Sequence, residues 1–347
     1  MTRITLVSYD DEPALGGQGV EVGGMRRVLR ARGHDVSTVA GRGDHALLYP
    51  RVTGRAPLDF SIHVNRNPQL LGDGDGVLHA LGGPGGVLLL RHLDRPLVYT
   101  ANHTYRMAHP RGSLRRALSP LEGRAYRNAA MVLAISASTA DAVHELGVPW
   151  NRVEVLPPGV DVPDGPLAGR DPGRLLFAGR WEPEKGVLDA VAVMRAVIAA
   201  RPSATGVVLG GGSLDRAVRA AAVTAPGIEV GGRVDPDRLA AEYARAAIVI
   251  VPSRYEGLGL VALEAQAHGA VVVGYDVAGL RDAVTAGELL VAPGESAALV
   301  RLCLELIDEP RRRWDIATAS RERVRRDHSW DAVAERLEAV YGAVSAG

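Results

Sequence analysis

The sequence predicts an α/β protein built from two doubly wound parallel-sheet domains, and three observations support this fold class. The 347 residues exceed the size at which a single hydrophobic core keeps growing. Short runs rich in β-branched residues alternate with longer Ala/Leu/Arg segments of helical period, which is typical of βαβ units. Residues 156–173 are dense in proline and glycine and lack an apolar period, so they separate two such halves.

The first domain is predicted over residues 1–160 and the second over residues 161–327. In the first, strands are expected at 4–8, 36–40, 60–64, 77–81, 97–100, 131–135 and 153–156, with helices at 20–32 and 138–146. In the second, strands are expected at 174–178, 206–209, 228–230, 248–251, 271–274 and 288–291, with helices at 187–200, 214–222, 235–244 and 259–268.

Composition excludes several functional classes. The 40 acidic and 40 basic side chains cancel, so there is no global field to attract nucleic acid. The single cysteine, Cys303, lies in an apolar run and is expected to be buried and without a functional role. The first residues read as a strand and a turn without a signal-peptide pattern, and charged or glycine residues interrupt every long apolar run. We therefore expect a cytoplasmic protein without a transmembrane segment.

The stretch FAGRWEPEKGVLDA, residues 177–190, contains Lys185, the only lysine among the 40 basic residues. It follows a predicted strand and precedes a predicted helix, the place where open α/β sheets bind ligands. Arg180 and Lys185 together indicate a phosphate site, because a guanidinium can bind two oxygens at once while an ammonium concentrates charge at one point. The alternative is a loop lysine on a solvated face.

The stretch VPSRYEGLGLVALEAQAHGAVVV, residues 251–273, places Glu256 and Glu264 on either side of a predicted helix start. Their spacing corresponds to about 12 Å of helical rise and about 80° of rotation, so both carboxylates can border one cleft at different depths. Gly257 and Gly259 permit close backbone approach, and N–H groups at a helix start can bind hydroxyl or phosphate oxygens. A structural ion pair with Arg254 is the alternative.

Three further segments have recognisable patterns: LGGQGVEVGGMRRVLRARGHDVSTV at 15–39, VYTANHTYR at 98–106 and HSWDAVAERLEAVY at 328–341. Together with GRWEPEKG and the pair Glu256–Glu264, they resemble the retaining glycosyltransferases of family 4, whose motifs include Gly-Arg…Glu-Lys-Gly and Glu-x7-Glu. The resemblance implies the GT-B fold, with two facing Rossmann-like domains. It also implies that a C-terminal helix, residues 328–347, crosses back to complete the first domain.

For the donor, the resemblance implies a role at each matching position. Arg180 and Lys185 would hold the diphosphate of a nucleotide sugar, and Glu264 would bind the ribose hydroxyls. Glu256 would hold the donor sugar. The backbone expected to support that sugar comprises Gly257, Leu258 and Gly259. The base would lie against residues 232–234 and 210–212, with these predicted contacts: Gly211, Arg233 and Val234.

For the first domain, the resemblance implies that Gly16 and Gly17 approach the phosphates or the acceptor. Asn102 and His103 are the expected acceptor contacts, and His103 would orient the donor sugar or the acceptor. A histidine that only satisfies its hydrogen bonds at a strand end is the alternative for His103. The residues expected to act in catalysis are His103, Arg180, Lys185 and Glu256.

The implied reaction retains the anomeric configuration, uses a UDP-sugar by preference and needs no cofactor or metal. Arg180 and Lys185 would replace the metal, and the single Asp-x-Asp, in DGDG at 73–76, lies among glycines that favour a turn. The partners are therefore the nucleotide sugar and a small-molecule or lipid-linked acceptor. The arginine-rich stretch at 111–130 suits either anionic lipid headgroups or a phosphorylated acceptor, with a solvated helix face as the alternative.

Two other functions fit the same architecture. A non-hydrolysing UDP-sugar 2-epimerase would bind a nucleotide sugar but would need no acceptor. An inactive nucleotide-sugar binding module would keep the fold but lack catalysis, although the presence of Arg180, Lys185, Glu256 and Glu264 together disfavours it. A dehydrogenase is disfavoured because the first βα turn lacks G-x-G-x-x-G.

Overall fold

The structure is a computed structural model that describes residues 1–14, 16–72, 75–109, 112–167, 170–284 and 286–346. The chain divides into two compact units. Unit 1 contains Met1–Gly159 and the C-terminal helix that begins at Trp330, and unit 2 contains Val160–Ser329.

Each unit is built on one parallel sheet. The strands in the described ranges are β1 (Arg3–Ser8), β2 (Asp35–Ala40), β3 (Val77–Gly82), β4 (Leu97–Ala101), β5 (Met131–Ala134), β6 (Val153–Val155), β7 (Arg174–Arg180), β8 (Thr205–Gly211), β9 (Ile228–Gly232), β10 (Ile248–Val251), β11 (Val271–Tyr275) and β12 (Leu290–Val291). The order is β2-β1-β3-β4-β5-β6 in unit 1 and β12-β11-β10-β7-β8-β9 in unit 2. Central strands such as β3 and β10 are buried along their whole length, and in β10 this explains the continuous apolar sequence.

Helices connect successive strands. Those in the described ranges are α1 (Gly17–Ala31), α2 (Ala56–Arg66), α3 (Tyr105–Ala108), α4 (Ser119–Arg127), α5 (Ala137–Glu145), α6 (Val187–Ala200), α7 (Asp215–Val223), α8 (Pro236–Arg245), α9 (Leu260–Ala267), α10 (Ala278–Ala283), α11 (Ser296–Asp308), α12 (Pro310–His328) and α13 (Trp330–Ala346). Among the described residues, none of the helices combines the length and the apolar character that crossing a membrane requires.

Two strand predictions differ from the structure. The strand predicted at 60–64 is wrong, because these residues lie in α2. Phe60 and Val64 are four residues apart and both buried, so they form one helical stripe, and Pro57 lies in the first helical turn. Parallel strands also need a crossover connection, which α2 supplies between β2 and β3. The strand predicted at 288–291 is shorter, since Gly287–Leu289 form a 3-10 turn before β12.

The C-terminal helix α13 completes the core of unit 1, as predicted. Its apolar face packs into the same cluster as α1 and β3. A Cβ atom added to Gly24 of α1 would lie 1.9 Å from the Trp330 ring, so glycine is what allows this close approach. Deeper in the core, the Tyr341 hydroxyl lies 2.6 Å from Nδ1 of His79, whose Nε2 lies 2.8 Å from the Thr100 hydroxyl.

Candidate functional site

The sheet of unit 2 reverses its strand order between β7 and β10. From β7 the chain moves outward through β8 and β9, whereas β10, β11 and β12 fill the opposite side. Connections leave such a switch point in opposite directions, so a crevice forms beyond the carboxyl ends of the two strands. Lys185 follows β7, and Glu256 follows β10. Both predicted motifs therefore reach the same crevice.

Lys185 and Glu256 are in direct contact. The Lys185 ammonium donates to Oε1 of Glu256 over 2.8 Å, and the Ser253 hydroxyl donates to the same oxygen over 2.7 Å. The lysine and glutamate side chains are 21% and 12% exposed, so the pair is partly shielded from solvent but still accessible. The compact ammonium of lysine can donate to a carboxylate oxygen that already accepts a second hydrogen bond, here from Ser253.

Gly186 explains how the loops after β7 and β10 approach each other. It has a left-handed backbone with φ of 66°, and an added Cβ would lie 2.1 Å from the Pro252 carbonyl oxygen. Any side chain at this position would therefore push the two loops apart and separate Lys185 from Glu256.

Arg180 lies at the same edge of the sheet but faces solvent. Its side chain is 62% exposed and lies 3.5 Å from Oε1 of Glu184. In the part of the chain that the structure describes, its ion-pair partner is thus Glu184, not Glu256. The structure leaves this guanidinium able to turn toward a ligand, since an exposed pair of this kind is weakly held.

The loop between β10 and α9 contains the predicted sugar-binding backbone. Leu258 is buried, Gly257 is partly buried, and Gly259 is the left-handed residue that caps the start of α9. Arg254, the arginine expected to pair with Glu256 or Glu264 if these acids had only a structural role, has a different ion-pair partner among the described residues. Arg254 instead pairs with Asp189 at 3.0 Å.

Glu264 lies in α9 and is held by a neighbouring helix. The Tyr243 hydroxyl of α8 donates to Oε2 of Glu264 over 3.0 Å. Burial raises the pKa of Glu264 to about 7; the Tyr243 hydrogen bond opposes this rise and the negative charge of Asp161 adds to it. The carboxyl is therefore poised to ionise near neutral pH.

The predicted base-binding residues gather where β8 and β9 end. A Cβ added to Gly211 would lie 3.2 Å from Nε of Arg233, so these two residues are neighbours. Arg233 is exposed and Val234 is partly buried. Since β8 pairs with β7, this group lies at the same edge of the sheet as Arg180.

The predicted residues of unit 1 lie at the carboxyl edge of its own sheet. Gly16 caps the start of α1 and Gly17 is its first residue, and both are exposed. The Gly16 N–H donates to Oδ2 of Asp10 over 3.1 Å. Asn102 and His103 follow β4 and are both partly buried.

Asn102 is oriented by a buried acid on α1. Its side-chain amide donates to Oε2 of Glu21 over 2.7 Å, and its own Oδ1 is buried without a hydrogen-bond partner among the described residues. Glu21 is 2% exposed. Burial raises the pKa of Glu21 to about 7, and the hydrogen bond from Asn102 opposes the rise. Burial of the charged form therefore costs stability, and the pair holds Asn102 in one orientation.

Replacing Glu21 by glutamine is expected to stabilise the protein at pH 8.5 but not at pH 4. Burial raises the pKa of Glu21 from 4.5 to about 7 in the folded protein. Ionised Glu21 therefore lowers the free energy of unfolding fully above pH 7, and this loss disappears below pH 4.5, where the carboxyl is protonated in both states. The full loss corresponds to about 3 kcal/mol, and glutamine keeps an oxygen for Asn102. Chemical denaturation at both pH values measures the difference. An equal change in the free energy of unfolding at the two pH values would contradict the assignment.

Three residues of these sites were not predicted: Ser253, Tyr243 and Glu21. Ser253 lies inside the quoted motif, but nothing in its spacing marks it as a donor to Glu256. Tyr243 belongs to a different helix from Glu264, so their pairing depends on how α8 and α9 pack. Glu21 carried a usable signal, because it is an acid beside Val22 on the buried face of an amphipathic helix.

The Asp-x-Asp at 73–76 cannot be placed, since Asp73 and Gly74 lie outside the described residues. In the ranges that are described, no group of three or more histidine, cysteine, aspartate or glutamate side chains is arranged to hold a metal ion.

Cys303 is buried, and burial raises the pKa of its thiol to about 12.

Comparison with known sequences identifies the family. Residues 15–163 match the family described as Glycosyltransferase Family 4, and residues 172–309 match Glycosyl transferases group 1. A glycogen synthase of Mycobacterium tuberculosis is 29% identical over 395 aligned positions, which cover 99% of this chain and 95% of the relative. D-inositol 3-phosphate glycosyltransferase 1 of Catenulispora acidiphila is 30% identical over 333 positions, covering 84% of this chain and 76% of the relative.

Solved structures agree on the fold. The sucrose-phosphate synthase of Thermosynechococcus elongatus superimposes with a TM-score of 0.77 at 20% identity, covering 100% of both chains. This likeness confirms the two-domain GT-B fold. The family matches over both halves and the relative that is 30% identical show that this chain is a transferase enzyme and belongs to the family 4, group 1 glycosyltransferases.

Proposed function

We propose that this chain transfers a sugar from a nucleotide-diphosphate sugar to an acceptor hydroxyl, with retention of the anomeric configuration and without a metal ion. A UDP-sugar is the proposed donor, and a small or lipid-linked molecule is the proposed acceptor. The observation that carries the proposal is the 2.8 Å contact between Lys185 and Glu256, because it joins two motifs 71 residues apart in the crevice of one sheet.

The diphosphate is assigned to Lys185 and Arg180. Negative charge on the leaving diphosphate grows as the glycosidic bond breaks, so cations fixed nearby act most strongly in the transition state. Lys185 is already positioned by Glu256, and Arg180 is free to close over the phosphates from the exposed end of β7. These two charges supply the stabilisation that other transferases draw from a metal.

The rest of the donor is assigned to the surrounding residues of unit 2. Glu256 binds the sugar hydroxyls while it keeps its contact with Lys185, and the backbone of Gly257 to Gly259 supports the ring. Glu264 accepts hydrogen bonds from the ribose, and Tyr243 fixes the direction of its carboxyl. The base lies against Gly211, Arg233 and Val234.

The acceptor is assigned to unit 1, where Asn102, His103, Gly16 and Gly17 are found at the carboxyl edge of the sheet. In the proposed reaction the bond between the anomeric carbon and the diphosphate oxygen breaks, and a bond to the acceptor oxygen forms on the same face. The acceptor proton passes to the departing diphosphate, so atoms and charge balance without an added base. His103 orients the acceptor hydroxyl.

The test is a mass-spectrometric screen of UDP-, GDP- and ADP-sugars with candidate acceptors, with and without a chelator. Transfer from a UDP-sugar is expected, with full activity in the chelator, and NMR of the product is expected to show the donor's anomeric configuration. An inverted product or loss of activity in the chelator would reject those parts of the proposal.

Incubation with the donor alone separates the alternatives. Formation of an epimeric nucleotide sugar without acceptor would favour a 2-epimerase. Binding of every nucleotide sugar without hydrolysis, transfer or epimerisation would indicate an inactive binding module. Slow hydrolysis to free sugar and UDP is the result expected of the transferase.

A further inference from the structure

One carboxylate of unit 2 joins the loop after β7 to the loop after β8. Glu182 lies between Arg180 and Lys185 in the chain and is partly buried. Its Oε1 accepts a hydrogen bond from the Ser213 backbone N–H over 3.0 Å, and its Oε2 accepts one from the Ser213 hydroxyl. Ser213 comes shortly after Gly211, where β8 ends. Both oxygens of Glu182 are therefore engaged by one residue of the neighbouring loop, a geometry that fixes distance and direction together.

Backbone hydrogen bonds hold the same two loops together. The Trp181 N–H donates to the Gly211 carbonyl oxygen over 3.0 Å, and the Leu214 N–H donates to the Trp181 carbonyl oxygen over 2.9 Å. A Cβ added to Gly212 would lie 2.6 Å from that same Trp181 oxygen and 2.7 Å from Oε1 of Glu182. The loops are thus in direct contact, and the Glu182 side chain adds two hydrogen bonds to those made by the backbone.

The hydrogen bonds of Glu182 go to Ser213 and not to the cations on either side of it. Among the described residues, the ion-pair partners of Arg180 and Lys185 are other glutamates. The hydrogen bonds from the Ser213 side chain and backbone lower the pKa of Glu182, and the positive charge of Arg180 adds a smaller effect. The carboxylate is therefore ionised at neutral pH and can only accept hydrogen bonds.

The loop held by Glu182 contains Gly211, which the proposed function assigns to the nucleoside base. A Cβ added to Gly211 would lie 3.2 Å from Nε of Arg233, so the loop lies against the residue that follows β9. The Arg219 guanidinium of α7 lies 5.7 Å from the centre of the Trp181 ring, so the helix after this loop also contacts the residue before Glu182. Glu182 thus acts on the proposed base contacts through the backbone of the neighbouring loop.

We propose that Glu182 is a positioning residue for recognition of the nucleoside part of the donor, because its hydrogen bonds to Ser213 hold residues 210–213 in the base-binding conformation. The inference rests on the proposed function, which assigns the base to this edge of unit 2. A loop without this anchor populates other conformations, and the apparent affinity falls with the fraction that remains competent to bind. The proposed diphosphate contacts of Arg180 and Lys185 do not involve that loop, so the diphosphate should bind as before.

The first test compares Glu182→Ala with Glu182→Gln. Alanine removes both hydrogen bonds, so UDP is expected to bind about tenfold more weakly. Glutamine keeps an oxygen for the Ser213 N–H, and its amide can donate to the Ser213 hydroxyl, so UDP affinity within about twofold of the wild type is expected. With a UDP-sugar, Glu182→Ala is expected to raise KM about tenfold and to leave kcat nearly unchanged, because the nucleoside is bound equally in the ground and transition states.

Inorganic pyrophosphate is the probe for the diphosphate alone. Calorimetric titration is expected to give wild-type pyrophosphate affinity in Glu182→Ala and a lower affinity in Lys185→Ala. The matched control is Asp308→Asn, which is expected to keep wild-type affinity for UDP and pyrophosphate. Asp308 ends α11 and also joins two elements, since its Oδ1 accepts a hydrogen bond from Arg201 over 3.0 Å, at the opposite end of α6 from Lys185.

Three results would overturn the positioning role. One is wild-type UDP affinity in Glu182→Ala. Another is an equal loss of UDP and pyrophosphate affinity, because Glu182 would then support the whole donor site. The third is an effect of Glu182→Gln as large as that of Glu182→Ala, because charge and not hydrogen-bond geometry would then be responsible. If Glu182→Ala is unstable, Ser213→Ala takes its place, with a smaller loss of UDP affinity and unchanged pyrophosphate affinity expected.

The Lys185→Ala titrations keep the two proposals apart. If neither UDP nor pyrophosphate binding depends on Lys185, the proposed function fails. If Lys185→Ala behaves as expected but Glu182→Ala binds UDP like the wild type, only the positioning role of Glu182 fails.

Discussion

Replacing Lys185 by alanine is expected to lower the turnover of the nucleotide sugar by about 10²- to 10³-fold, the largest single effect in this protein. The ammonium is fixed in the crevice by its contact with Glu256. A charge that stabilises a developing anion in a shielded site lowers the barrier by about 3 to 4 kcal/mol. The loss should appear in kcat more than in KM, because the interaction strengthens as the bond to the diphosphate breaks.

Two controls isolate that effect. Arg195→Ala removes an exposed cation of α6 that has no ion-pair partner among the described residues, and it is expected to keep wild-type turnover. Lys185→Ala also leaves Glu256 without its ammonium, so its unfolding is measured in parallel. The pair is partly exposed, at 21% and 12%, and its loss is expected to cost about 1 kcal/mol. Near wild-type turnover in Lys185→Ala would remove the basis of the proposed function.

Replacing Glu264 by glutamine is expected to weaken binding of UDP and of the nucleotide sugar by about 10- to 100-fold, with a smaller change in kcat. An ionised carboxylate accepts hydrogen bonds from both ribose hydroxyls, whereas an amide offers one acceptor oxygen and directs N–H groups at the ligand. The ribose is remote from the bond that breaks, so this interaction is present equally in the ground state and the transition state.

The pH dependence of that binding gives an independent check. Because the pKa of Glu264 is raised to about 7, its carboxyl is protonated at pH 6 and ionised at pH 8. Affinity for UDP is therefore expected to rise between pH 6 and pH 8 in the wild type, and to change less in Glu264→Gln. The control Glu295→Gln, an exposed acid beside α11, should keep the wild-type profile. A wild-type profile in Glu264→Gln would contradict the ribose assignment.

Much of the fold was open to prediction because it depends on local pattern. Parallel strands buried on both faces leave unbroken apolar runs, so β1, β7 and β10 were predicted close to their true limits. The strand predicted at 60–64 is a helix for an equally physical reason. Five residues with buried apolar side chains at the first and last positions fit both a strand and a helical stripe, and the need for a crossover between β2 and β3 decides between them.

The positions of the donor residues were also predictable. Arg180 ends β7 and Lys185 follows it, while Glu256 follows β10 and Glu264 lies in the next helix, α9. The carboxyl ends of parallel strands share one edge, so these motifs were expected at the same edge. The structure places all four in unit 2, with Lys185 against Glu256. Their roles in the reaction remain predictions that the variants above test.

By itself the sequence determined the two-domain α/β architecture and the motifs that lie at the sheet edges, because strand burial and loop position leave periodic and local signals. Only the tertiary structure decided which side chains meet: Lys185 with Glu256, Tyr243 with Glu264, Glu21 with Asn102. Such contacts join elements far apart in the chain, and since hydrogen bonds and charges act over a few ångströms, only the packing of those elements brings them into range.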